Sequence, residues 1–94
     1  MTQLAEALER LRTAEHRAVG ANQTVKAIQR GRARLVVVAA DADRRVVQGV
    51  VTAGRDRGLE VIEAGSMKEL GRACGIAVGA AAAAVLVPPD AAES

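Results

Sequence analysis

Gly31-Arg32-Ala33-Arg34-Leu35-Val36-Val37-Val38-Ala39-Ala40-Asp41-Ala42-Asp43 is the stretch that decides the fold. Its centre, Leu35-Val36-Val37-Val38, is an aliphatic run of mostly β-branched residues without a charge, which reads as a central strand covered on both faces. Gly31 ends a helix before it, and Asp41-Ala42-Asp43 opens another after it. A strand covered on both sides needs a layer on each. The expected fold class is therefore α/β, a three-layer α/β/α sandwich in which helices alternate with strands.

Working outward, residues 22–30 carry Val25 and Ile28 at helical spacing, with Asn22 or Thr24 able to cap the start. Residues 17–19 suit a short strand ending at Gly20. Residues 3–14 place Leu4, Leu8 and Leu11 on one helical face with charges between them. Downstream, Val46, Val47, Val50 and Val51 make an apolar stripe on a third helix closed by Gly58, and residues 60–63 form a short strand. Ser66-Met67-Lys68-Glu69 matches a capping box, in which Ser66 accepts from the helix and Glu69 reaches back. That fourth helix ends near Gly75. Residues 81–87 read as the last strand, although their alanines also suit a helix. The strands at 17–19 and 81–87 stand outside a βαβ rhythm, so the small sheet should be mixed. Residues 1–87 read as a single domain and residues 88–94, opening on Pro88-Pro89, as a disordered tail.

The chain of 94 residues is 50% hydrophobic yet has no Phe, Tyr or Trp. Its core must be Val, Leu, Ile and Ala. Modules that stack bases on aromatic rings are disfavoured, so any RNA contact has to use amides, cations and aliphatic groups. The net charge of +2 hides an asymmetry: residues 16–87 hold eleven Lys/Arg against six Asp/Glu. Lys26, Arg30, Arg32 and Arg34 follow one another with no acid between them. Such a patch suits a phosphate backbone, and equally a solubilising face. One Cys and one His provide neither an internal disulfide nor a zinc site, and no metal or cofactor is expected. Glu6 and Glu9 in the first helical stretch argue against a signal peptide. The apolar run at 76–87 is shorter than the roughly 20 residues of a membrane helix. The expected setting is the cytoplasm.

Two segments could carry function. In Gly20-Ala21-Asn22-Gln23-Thr24-Val25-Lys26, Gly20 permits a tight turn and Asn22 and Gln23 put two amides at a helix start, where paired donors and acceptors suit base edges. Lys26 and then Arg30 follow at four-residue steps on the same face, and the helix dipole favours phosphate. An ordinary solvated helix face explains the same residues. In Gly71-Arg72-Ala73-Cys74-Gly75-Ile76-Ala77-Val78-Gly79, Ile76 and Val78 form either an exposed apolar loop or core leading into the last strand. The glycines lack the Gly-x-Gly-x-x-Gly order and follow no strand, so no dinucleotide site is expected. Cys74 reads as a small buried hydrophobe. Asp41 and Asp43 fit turn and cap roles better than a carboxylate pair. No nucleophile has a base and an orienting group, which argues against an enzyme.

Taken in order, Gly20 to Gly31, Leu35 to Asp43 and Ser66 to Ile76 resemble the kink-turn-binding ribosomal-protein superfamily, which includes archaeal and eukaryotic ribosomal and box C/D proteins. The Ser-Met-Lys and Ala-Cys-Gly-Ile wording is most like the short bacterial members YbxF and YlxQ. The resemblance spans about residues 16–87. It implies a monomeric, non-catalytic protein that recognises RNA kink-turns, tandem sheared G·A pairs beside a bulge, in ribosomal or regulatory RNA. It implies that Asn22, Gln23 and Lys26, after the turn at Gly20, read the guanine edges and that Ile76 and Val78, with Ala77 between them, cover the bulge. From the charge pattern itself, Arg30 continues the face toward phosphates and Lys68 is a further basic contributor. Many members have an acid where this chain has Ala77, and a proline where it has Arg44. The competing expectation is a protein-interaction module of the same fold with weak RNA affinity.

Overall fold

Alternation over residues 35–39 of one strand builds both halves of the core. The computed structural model describes residues 3–88. Its elements run α1 (Gln3–Thr13), β1 (Arg17–Val19), α2 (Ala21–Gln29), β2 (Ala33–Ala39), α3 (Arg44–Asp56), β3 (Val61–Ala64), α4 (Met67–Ala73) and β4 (Ala82–Leu86). On β2, Leu35, Val37 and Ala39 pack with Ala7 and Leu11 of α1 and Leu70 of α4. Val36 and Val38 face the other way, onto Ala27 and Ile28 of α2 and Val50 of α3. Successive side chains of a strand point to opposite faces, so one aliphatic run serves two helix layers. The expected α/β/α sandwich is what forms.

The sheet order is β1-β4-β2-β3. β2 and β3 are parallel across the α3 connection, whereas β4 is antiparallel to both of its neighbours, so the sheet is mixed. β4 lies between β1 and β2, and its Ala82, Ala83 and Ala84 are fully buried. Alanine is a poor strand former by propensity. Pairing on both sides overrides that preference, and the short side chains let helices approach both faces.

Several local expectations change. α2 starts at Ala21 with Gly20 as its N-cap, at φ +97°, and no side chain caps it. Asn22 and Thr24 are inside the helix, and the Thr24 hydroxyl is buried without a partner among the described residues. On α3, Val50 is buried and Val47 and Val51 are half-buried, but Val46 is 41% exposed and leaves the stripe. Asp43, the N-cap of α3, accepts from Arg45 N at 2.8 Å. Ser66 Oγ accepts from Glu69 N at 3.0 Å as the capping box requires, but the Glu69 carboxylate returns to Gly65 N, at 3.1 Å, instead of to Ser66. β4 is shorter than residues 81–87. Apart from Pro88, the tail expected to be disordered lies outside the described residues.

Candidate nucleic-acid interface

Sheet topology gathers the candidate residues. β1 ends at Val19, next to the N-cap Gly20, and runs antiparallel to β4, pairing Val19 with Ala83, so the start of α2 lies beside the start of β4. β2 is also antiparallel to β4, pairing Val38 with Ala82, and parallel to β3, pairing Ala39 with Ala64. One end of the sheet therefore carries the start of α2, the turn after β2, the start of α4 and the loop entering β4. Hydrogen bonds tie these pieces together. Gly20 N donates to Ala82 O at 2.8 Å, Ala39 N to Ala81 O at 2.9 Å, and Ala80 N to Met67 O at 3.0 Å. Asp41 Oδ1 accepts from Met67 N at 2.7 Å. Asp41 and Asp43 thus both act as backbone acceptors.

The two helix starts at this end differ in chemistry. That of α4 is occupied, by Ser66 Oγ on Glu69 N and Asp41 on Met67 N. That of α2 has no side-chain acceptor, so its first N–H groups and the positive end of its dipole face outward. α2 buries Thr24, Ala27 and Ile28 and exposes Asn22, Gln23, Lys26 and Arg30. Among the described residues, none of those four side chains is hydrogen-bonded or ion-paired. Asn22, Gln23 and Lys26 sit in the first two turns. Arg30, the C-cap, lies at the far end of the helix, away from the loop.

The loop from Gly75 to Ala81 rests against α4. A Cβ on Gly71 would collide with the Val78 carbonyl oxygen, and one on Gly79 would lie 2.9 Å from Met67 Cβ. Two glycines therefore let backbone meet helix directly. Gly75, at φ +76°, turns the chain off α4, and Ile76 N donates to Gly71 O at 3.0 Å. The two apolar candidates separate: Ile76 is half-buried against the α1/α4 side of the core, whereas Val78 is 71% exposed. Ala77 is exposed beside it, and Lys68 is exposed in the first turn of α4.

Cys74 is buried and free. Burial pushes its thiol up from the ordinary range, and the positive charge of Arg17 partly offsets this. Arg17 was not among the candidates. Its guanidinium donates to Leu11 O at 2.8 Å and passes 3.6 Å from where a Cβ on Gly75 would stand, so a cation backs the turn of the apolar loop. Its position three residues before the Gly20-Ala21-Asn22 segment was the available signal. The basic run from Lys26 to Arg34 divides. Lys26, Arg30 and Arg32 line a groove of about 400 Å³ along α2 and the β1–β4 side of the sheet. Arg34 is exposed at the irregularity in the β2–β4 ladder. A larger open groove, about 900 Å³, lies between α2 and α3 over Val25, Ile28 and Ala53, with Arg44, Arg45 and Arg57 on its rim. It contains none of the candidate residues, so size alone does not mark the site. Among the described residues, no helix is long and apolar enough to cross a membrane, and no group of His, Cys, Asp and Glu could hold a metal ion.

Comparison with known proteins agrees with the fold. Residues 2–94 match the family described as ribosomal protein L7Ae/L30e/S12e/Gadd45. The chain is 44% identical over 68 residues to the RNA-binding protein YbxF of Geobacillus stearothermophilus, covering 72% of this chain and 83% of that protein. It is 42% identical over 73 residues to the large ribosomal subunit protein eL8 of Halobacterium salinarum, covering 77% of this chain and 61% of that one. Among solved structures, the Giardia lamblia 15.5kD RNA binding protein superposes with a TM-score of 0.79 at 32% identity, over 93% of this chain and 73% of that one.

Proposed function

Since the chain belongs to the ribosomal protein L7Ae/L30e/S12e/Gadd45 family, a family of non-enzymatic proteins, we propose that it binds kink-turns in structured RNA. One observation carries the reading: the uncapped α2 start, with Asn22, Gln23 and Lys26 exposed, lies at the same end of the sheet as the exposed Val78. Gly20 has no Cβ to hold a ligand off the helix end. Asn22 and Gln23 supply amide donors and acceptors to the guanine edges of sheared G·A pairs, and Lys26 adds a cation on the same face. Val78, with Ala77 and the outer edge of Ile76, covers the bulged nucleotides by aliphatic contact. Lys68 and Arg30 meet flanking phosphates. The protein acts as a monomer in the bacterial cytoplasm, on ribosomal or regulatory RNA.

The test is a titration with a kink-turn RNA and with a straight duplex of the same length and composition. Preference for the kink-turn is the expected result, and equal binding overturns kink-turn recognition. The α2–α3 groove favours a second reading, a protein-interaction module with weak RNA affinity. Failure to bind either RNA would leave that reading in place.

A further inference from the structure

We propose that the groove between α2 and the β1–β4 side of the sheet holds a backbone phosphate of the RNA stem, with Arg32 as its anchoring cation. The proposal rests on the RNA-binding reading and extends it to a residue outside both the α2 start and the apolar loop.

The groove is lined by four cationic residues, Arg17, Lys26, Arg30 and Arg32, over a small apolar floor that includes Ala18 and Leu86, and no acid among the described residues lines it. None of the four is ion-paired among the described residues, and Arg17 is committed to Leu11 O at 2.8 Å. Arg32 differs from an ordinary solubilising arginine. Its backbone is fixed on both sides, with Arg32 N donating to Ala27 O at 3.0 Å and Val87 N donating to Arg32 O at 2.8 Å. Its side chain is half-buried, and Nη2 reaches Val87 O only at 3.3 Å. Nε is buried with no acceptor among the described residues. A solvated arginine keeps its N–H groups in water, and a structural one satisfies them with carbonyls. A guanidinium held by one long bond, with Nε unpaired, has most of its five donors uncommitted.

The missing partner is an anion with several oxygens. Guanidinium offers Nε–H and Nη–H as a parallel pair, which matches two oxygens of one phosphate. The long bond to Val87 O leaves the guanidinium free to turn this edge into the groove. The groove also has direction. It begins at Gln23, in the proposed base-reading turn, and from Gln23 to Arg30 the helix rises about 10 Å. A site continuous with the base-reading end suits a strand leaving the kink better than an isolated ion.

Arg34 is the internal comparison: it is equally basic and two residues away, but outside the groove. Arg32→Gln and Arg34→Gln are titrated with kink-turn RNA and straight duplex RNA across salt concentrations. The Nε–H resonance of Arg32 is followed by nitrogen-15 NMR in the unaltered protein, with each RNA and with inorganic phosphate alone. In Arg32→Gln the slope of log K against log salt should become shallower by about 0.7–0.9, one phosphate neutralised. Arg34→Gln should change it less. The Arg32 resonance should move with RNA and stay put in millimolar phosphate. A slope unchanged in Arg32→Gln, or an Arg32 resonance unmoved by bound RNA, overturns the proposal. A resonance that responds to inorganic phosphate and not to RNA overturns it too, making the groove a free-phosphate site. The NMR arm needs no substitution, so a misfolded variant does not protect the idea. If the unaltered protein binds neither RNA, the RNA-binding reading has failed, which differs visibly from RNA binding that ignores Arg32.

Discussion

Gly71 and Val78 meet through backbone alone: the Val78 carbonyl lies where a Cβ of Gly71 would be, while the Val78 side chain points away and is 71% exposed. The loop is thus fixed by its main chain and leaves its apolar group exposed. Replacing Gly71 by Ala should push the loop off α4. Overpacking of this kind costs about 1–3 kcal/mol. Urea denaturation should show that loss, and RNA affinity of the folded protein should fall with it. Unchanged stability and unchanged binding would mean the loop position is irrelevant.

Ile76 and Val78 should respond differently to truncation. Val78→Ala removes exposed atoms and should change stability by no more than about 0.5 kcal/mol, the range of ordinary surface substitutions. It should weaken kink-turn binding. Ile76→Ala removes half-buried core and should cost about 1–2 kcal/mol, below the 2–5 kcal/mol of a fully buried site. Parallel melting and RNA titration check both. A Val78→Ala protein with a much lower melting temperature and normal affinity would make the loop purely structural.

Asn22→Ala and Lys26→Ala should each weaken kink-turn binding by about 1–3 kcal/mol, the range for a side chain on a base edge. Both residues are exposed on α2, and neither has a hydrogen-bond partner among the described residues. Circular dichroism should therefore be unaltered. Full affinity in both variants would remove the helix start from the interface.

Cys74 makes a pH prediction. Burial raises its thiol in the folded state, so the folded protein holds that proton longer than the unfolded chain does. The contribution to stability is intact below the unfolded thiol value, about 8.5, and declines as pH rises beyond it. Cys74→Ala should flatten that decline in a denaturation series from pH 7 to pH 10. An identical slope in the variant would place its cause elsewhere.

The sequence by itself determined the layered fold and most of the candidate face. The aliphatic run at 35–38 can be covered only by a layer on each side, and that is a local property. Helical spacing likewise put Asn22, Lys26 and Arg30 on one face, and all three are exposed there. Other features depended on contacts between segments far apart in the chain. Whether Ile76 or Val78 is core was undecidable from spacing, because the answer depends on Gly71 and Gly79 bringing backbone against α4. The alanines of β4 were ambiguous until β1 and β2 paired on either side of them. Asp41 gave no sign that it would hold Met67, twenty-six positions later. The basic run from Lys26 to Arg34 looked continuous, yet the turn after α2 and the irregular ladder at Arg34 sent its members to different places. Hydrogen-bonding capacity and periodicity are written in neighbouring residues, whereas burial and partnership depend on what the rest of the chain brings alongside, and only the tertiary structure decides that.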